Sequence, residues 1–210
     1  MKLSTSKLLL LSPHTDDIEY GSGGTLLNLI TPNTEVRWMI FSNAVKSLVD
    51  EDPTILIREQ QQAAKLLNIE PKSLIFYDFP VREFSYQRQE ILEKLLIMKK
   101  QFDPDMVFCP NSLDFHQDHK TIYDETIRAF KDCTILGYNT PWNQFNETNH
   151  LLVKLTKQDL EFKKKLLGTY ASQSHRKYMD EKIIETIARY KAIRSNFEFG
   201  ESFEVISMVC

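Results

Sequence analysis

Apolar positions along this chain fall into two patterns, short runs of strand length and longer stretches with helical spacing. The run Leu8 to Leu11 ends at Ser12-Pro13 and opens into His14-Thr15-Asp16-Asp17, after which Gly21-Ser22-Gly23-Gly24 leads into the periodic Leu26, Leu27 and Ile30. That order predicts a buried strand, a polar turn and then a helix. Thr34 to Ser42 predicts a second strand, and Asn43 to Glu51 a long loop of the kind that often faces substrate. Asp52-Pro53 starts a helix with proline at its first position and Ile55, Leu56, Ala63, Leu66 and Leu67 as its stripe. Ser73 to Phe79 reads as a third strand. Ser85 then caps a helix through about Gln101, with Ile91, Leu92, Leu95, Leu96 and Met98 facing the core.

The second half continues the alternation. Asp103 to Pro110 predicts a fourth strand running into Asn111-Ser112-Leu113-Asp114-Phe115-His116-Gln117-Asp118-His119, and a helix follows to about Lys131. Strands are expected at Thr134 to Asn139, Leu151 to Leu155 and Phe203 to Val209, and Asn139 to Asn149 reads as a loop carrying Trp142 and Phe145. Thr156 and Asp159 form a capping box for a helix ending at Gly168, and Asp180 to about Asn196 is a further helix. Strands alternating with helices predict an α/β fold with a doubly wound, parallel or mixed sheet. A chain of 210 residues suits a single domain over 1–210.

Composition narrows the function classes. A net charge of -3 with both signs interspersed leaves no basic footprint for nucleic acid. Hydrophobic content of 42%, 26% charged residues and mean hydropathy of -0.35 are ordinary for a soluble protein. The run before Ser12 is too short for a signal-peptide core, and no stretch reaches the ~20 apolar residues of a membrane span. Cys109, Cys133 and Cys210 show no metal or redox spacing and an odd count, so a reducing cytoplasmic setting is expected.

The candidate chemistry lies just past two predicted strand ends, where open α/β sheets bind ligands. His14, Asp16 and Asp17 sit at one, His116, Asp118 and His119 at the other. Zinc takes imidazole nitrogen and carboxylate oxygen, and a catalytic zinc keeps three protein ligands and an open position. His14 and one of the two aspartates supply two ligands, the second cluster a third, and the remaining aspartate is free to act as a base. Taken alone, Asp118 is most simply a helix N-cap. Arg82 suits a phosphate or carboxylate of the substrate, and Trp142 suits stacking on a sugar ring.

Pro13-His14-Thr15-Asp16-Asp17 with Gly21-Ser22-Gly23-Gly24-Thr25, and later His116-Gln117-Asp118-His119, resembles the LmbE/PIG-L family of zinc-dependent N-deacetylases. Tyr170-Ala171-Ser172-Gln173 and Gly200-Glu201-Ser202-Phe203 are similar to further family motifs, so the likeness runs through nearly the whole chain. It implies a Rossmann-like, mostly parallel sheet with helices on both faces. It also implies His14, Asp17 and His119 as ligands of Zn2+ or another divalent metal, Asp16 as general base, and a protonated His116 stabilising the oxyanion. Asp118 would orient a histidine, and Gln173 would lie near the substrate. The implied reaction is removal of an N-acetyl group from a small-molecule amino sugar or its conjugate, with a homo-oligomer possible. An amidase acting on a non-sugar N-acyl substrate and a non-catalytic metal-binding module are the alternatives.

Three positions depart from the family pattern. Thr15 stands where proline is usual, which removes a fixed φ from the turn. Leu56 replaces a common arginine, leaving Arg58 as a surface residue. Pro80-Val81-Arg82 replaces Pro-Asp-Gly.

Overall fold

The structure is a computed structural model describing residues 3–44 and 52–209. The predicted substrate-facing loop therefore falls largely outside the described residues, at 45–51, as does Cys210.

Seven strands, β1 (Lys7–Ser12), β2 (Glu35–Ile40), β3 (Leu74–Phe76), β4 (Met106–Pro110), β5 (Thr134–Tyr138), β6 (Leu151–Leu155) and β7 (Phe199–Ser207), form one sheet. Its order is β3-β2-β1-β4-β5-β7-β6. The first five strands are parallel, and β7 runs antiparallel to both β5 and β6. Six helices, α1 (Asp17–Leu29), α2 (Ile55–Leu66), α3 (Arg88–Phe102), α4 (Gln117–Ala129), α5 (Lys157–Leu167) and α6 (Glu181–Ala192), connect or flank them.

The uninterrupted leucines of β1 follow from burial on both faces. Leu8 and Leu10 pack with Ile18 and Leu26 of α1, Ala63 of α2 and Leu166 of α5. Leu9 and Leu11 point the other way, to Ile91 and Leu95 of α3 and Ile122 of α4. The mostly parallel sheet with helices on both faces is the architecture expected from the alternation. Because β1 lies between β2 and β4, the chain leaves β1 toward one side of the sheet and later returns to β4 on the other. The crevice at this switch point is where the two histidine clusters meet.

Several local expectations are revised. Helix α1 begins at Asp17, ahead of the glycines, which lie inside it and are buried. A Cβ on Gly21 would stand 2.7 Å from the Tyr138 ring, and one on Gly24 2.8 Å from Leu155. These glycines serve close helix packing, where a turn was the nearer sequence reading. Helix α2 starts at Ile55 because Asp52 first closes a turn onto the amide and hydroxyl of Thr54. Ser85 sits in a 3-10 turn, Phe84–Tyr86, and α3 starts only at Arg88. The core face of α3 is Ile91, Leu92, Leu95, Met98 and Phe102, while Leu96 is 39% exposed. The capping box at Thr156 and Asp159 forms as read.

Gly21→Ala should destabilise the protein by about 1–3 kcal/mol through overpacking against Tyr138. Gly168→Ala, whose Cβ would meet nothing closer than 3.4 Å, should be near neutral. Urea unfolding of the two variants checks the contrast.

Candidate metal centre and pocket

Ser12 ends β1 with its hydroxyl accepting from Trp38 Nε1 at 2.9 Å, and the next residues turn sharply into α1. Asp16 makes that turn at φ 75°, a left-handed backbone rare outside glycine. Asp17 closes it, its Oδ2 accepting from the His14 amide at 2.8 Å. On the neighbouring strand β4, the chain runs through Asn111 to His116, which caps α4: His116 Nδ1 accepts from the Asp118 amide at 3.2 Å. His116 thus holds the N-cap place expected of Asp118.

The two turns bring His14, Asp17 and His119 together. His14 Nδ1 lies 3.4 Å from Asp17 Oδ2, His119 Nε2 lies 3.3 Å from the same oxygen, and the two nitrogens are 3.3 Å apart. Three donors bound tetrahedrally at 2.0–2.1 Å would stand about 3.3 Å from one another. The triangle therefore has the size a zinc-like ion requires, and all three residues line one cavity. The far nitrogen of each histidine is held by a carboxylate: His14 Nε2 by Asp118 Oδ2 at 3.0 Å, His119 Nδ1 by Asp114 Oδ2 at 2.8 Å. Such partners fix the proton on the outer nitrogen and aim the lone pair of the inner one at the ion.

A second set, His14, His116 and Asp118, also lies within metal-binding range. Its groups are already engaged, because Asp118 accepts from the amides of Arg82 at 2.6 Å and Phe84 at 3.3 Å as well as from His14. Asp118 is also fully buried behind the cavity wall. It holds the outer nitrogen of His14, the position from which an orienting carboxylate would act.

Asp16, Asp17, Asp114 and Asp118 are all at most 7% exposed, a concentration of negative charge that calls for a cation. Burial, then Asp17 and Glu19, raise Asp16 well above the usual carboxylate range, with Arg176 and His119 opposing. Burial works against charge on His119, yet Asp17 and Asp114 lift it to about 10. In the ion-free protein the imidazoles hold protons where a metal would sit. His116 behaves oppositely: burial, His119 and His14 lower it to about 4, so at neutral pH it is uncharged. The expected protonation of His116 belongs to the metal-bound, reacting centre, and this crowding of imidazoles acts on the ion-free one. With Nδ1 already accepting from the Asp118 amide, neutral His116 carries its proton on Nε2 and donates from there.

The cavity, about 250 Å³, is lined on one part by Ala44, Leu56, Val81 and Arg82, and on another by Trp142, Gln173, Arg176 and Tyr178. Trp142 stacks on Tyr178 with centroids 3.8 Å apart and meets Tyr20 edge-on at 4.5 Å. Gln173 is buried, its Oε1 accepting from Arg176 Nε at 2.9 Å and its Nε2 donating to Ser172 Oγ at 3.1 Å. Arg58 is a surface residue paired with Asp52, as read from the sequence. Asp114 and Arg176 were missed. Asp114 lies two residues before His116 in a loop with no periodicity, and Arg176 sits in an irregular stretch before α6.

Fold and site together define a doubly wound α/β protein with a carboxylate-histidine centre open to a ligand pocket. Residues 9–130 match the family described as "PIG-L: GlcNAc-PI de-N-acetylase", and the chain belongs to that family of deacetylases. It is 26% identical over 149 residues to the uncharacterized deacetylase YaiS of Escherichia coli K12, covering 66% of this chain and 77% of that protein. Its fold is similar to N,N'-diacetylchitobiose deacetylase from Pyrococcus horikoshii, with TM-score 0.79, 22% identity, and 96% of this chain and 84% of that one covered. It is also similar to GalB, the 4-carboxy-2-hydroxymuconate hydratase from Pseudomonas putida KT2440, with TM-score 0.76, 13% identity and 98% of both chains covered. A fold shared by a deacetylase and a hydratase leaves the reaction to the site residues. Among the described residues, no helix is long and apolar enough to cross a membrane.

Asp114→Asn should weaken divalent-metal affinity about 10–100-fold, read by titration of chelator-treated protein. A metal must displace at least the proton that His119 holds below about pH 10, so apparent affinity should rise with pH. The same titration should show a gain of about tenfold or more per unit between pH 6 and 8.

Proposed function

We propose that this protein is a metal-dependent hydrolase that removes an N-acetyl group from an amino sugar or amino-sugar conjugate. The triangle of His14, Asp17 and His119 beside the free carboxyl of Asp16 carries this reading. The Pyrococcus horikoshii neighbour, named for deacetylation of diacetylchitobiose, supports the amino-sugar class.

His14, Asp17 and His119 would hold a divalent cation, zinc on the chemistry of its nitrogen and oxygen donors. When bound, such an ion polarises an amide carbonyl and acidifies water. Asp16 lines the cavity without an ion-pair partner among the described residues, and burial with its acidic neighbours raises its affinity for a proton, as a general base requires. It takes the proton of the attacking water as the carbonyl carbon becomes tetrahedral. His116, neutral and 24% exposed at its side chain, donates from Nε2 to the developing oxyanion. The proton on Asp16 then passes to the departing nitrogen, the C–N bond breaks, and acetate and a free amine result.

Asp16→Asn should lower kcat about 10²–10⁴-fold while keeping the metal, and His119→Ala should lose both metal and activity. Acetate release from N-acetylglucosamine conjugates, measured with metal content on the same samples, checks both. Metal-loaded protein that frees no acetate from any N-acetylated amino sugar would sink the reading.

A further inference from the structure

The cavity carries two guanidinium groups whose charge the fold does not use. Arg37, Arg58, Arg88, Arg128 and Arg189 each pair with a carboxylate. Among the described residues Arg82, Arg176 and Arg194 make no ion pair, and the first two line the cavity beside the histidine-carboxylate centre.

Neighbours hold the Arg82 backbone and the Arg176 side chain, while the Arg82 side chain itself is exposed. Arg82 adopts φ 70°, a left-handed backbone that is strained for a residue with a side chain. The Asp118 carboxylate that orients His14 keeps it there, accepting from the Arg82 amide at 2.6 Å. Of the described non-glycine residues with positive φ, Asp16, Asn68 and Asp103 are types that tolerate it, whereas Ala44 and Arg82 are not, and both line this cavity. Arg176 is anchored through a relay. Buried Glu59 accepts from the Ser172 amide at 2.9 Å and from its hydroxyl at 2.6 Å. Ser172 Oγ in turn accepts from Gln173 Nε2, and Gln173 Oε1 fixes Arg176 Nε. That arrangement occupies the inner edge of the guanidinium and leaves both Nη groups without a partner among the described residues. A guanidinium fixed at Nε with free Nη donors suits a planar or tetrahedral oxyanion.

A simpler role for Arg176 would be counter-ion to Asp16. The two lie near enough to interact at a distance, but they form no ion pair. Arg82 forms no ion pair among the described residues, and the Asp118 carboxylate that its amide binds is also engaged by Phe84 and His14.

We propose that Arg82 and Arg176 form an anion subsite, so that the preferred substrate is an N-acetylated amino sugar bearing a phosphate or carboxylate. The proposal rests on the deacetylase reading for its sugar and on the two unpaired guanidinium groups for its charge. A cavity of about 250 Å³ is small for a ligand pocket, so the anion would sit at its mouth while the acetamido group reaches the centre. The apolar wall of Ala44, Leu56 and Val81 adjoins Arg82 and suits the ring face.

The test compares metal-loaded wild type, Arg82→Gln, Arg176→Gln and the double variant. The substrates are N-acetylglucosamine, its 1-phosphate and N-acetylmuramic acid, which separate no anion, phosphate and carboxylate. Binding of glucosamine, glucosamine 1-phosphate and muramic acid, measured by calorimetry, supplies a readout that needs no turnover. Wild type should prefer at least one anionic probe over the neutral one by tenfold or more in kcat/KM, mainly through KM, and in affinity. Each replacement should cut that preference about tenfold, and the double variant should bring it near one. Because the ratio is taken within one protein sample, a partly misfolded variant does not distort it. Equal use and equal binding of neutral and anionic probes by wild type, or a preference that survives the double replacement, would overturn the anion subsite. If no probe is hydrolysed, the deacetylase reading fails while the binding ratios still decide the subsite.

Discussion

Four carboxylates buried around three imidazoles set the terms for everything near the switch point of this sheet. Removing even one carboxylate from water costs several kcal/mol unless it is paired or hydrogen-bonded. Asp114 and Asp118 are satisfied by histidine, hydroxyl and backbone donors, Thr140 among them. Asp17 sits between His14 and His119, which hold it far below the usual carboxylate range against its burial. The ion-free centre thus keeps its charge tolerable by borrowing protons, and a divalent cation in the same triangle would replace them.

The rest of the fold holds that triangle to size. Strands β1 and β4 are paired in parallel register, Leu8 against Met106, so their ends deliver His14 and His119 to the same level. Helix α1 is drawn close to β5 and α5 by its glycines, and Tyr138 ties the packing back to β1 by donating to the Leu11 carbonyl at 3.0 Å. Buried Glu201 of β7 accepts from the Gly24 and Thr25 amides and from Lys163 of α5, locking the same helix from a third side. Backbone strain at Asp16 persists because these contacts fix the helix that follows it, and at Arg82 because its amide is held by Asp118.

Strand ends and the residues that meet beyond them were legible in the sequence because each carries a local signal. A leucine run buried on two faces stops at a proline, and titratable residues follow at once. Asp114 was not legible, since an aspartate in an irregular loop reads the same whether it faces water or His119. The glycines of α1 misled because their spacing says nothing about Tyr138 and Leu155, which arrive from distant strands. Leu96 was assigned to the core one residue off the face that α3 presents, an error a helical stripe permits when apolar residues run consecutively. The lowered pKa of His116 in the ion-free protein was beyond reach, because it depends on two imidazoles and a buried surround that only the fold assembles.

His14, Asp17 and His119 should close on one ion. X-ray absorption at the metal edge of protein loaded with one equivalent of zinc tests it most directly. The account predicts a shell of two imidazole nitrogens plus oxygens at about 2.0–2.1 Å, losing an imidazole when His119 is replaced by alanine. A shell left unchanged by that replacement, or one that instead loses an imidazole when His116 is replaced, would contradict it.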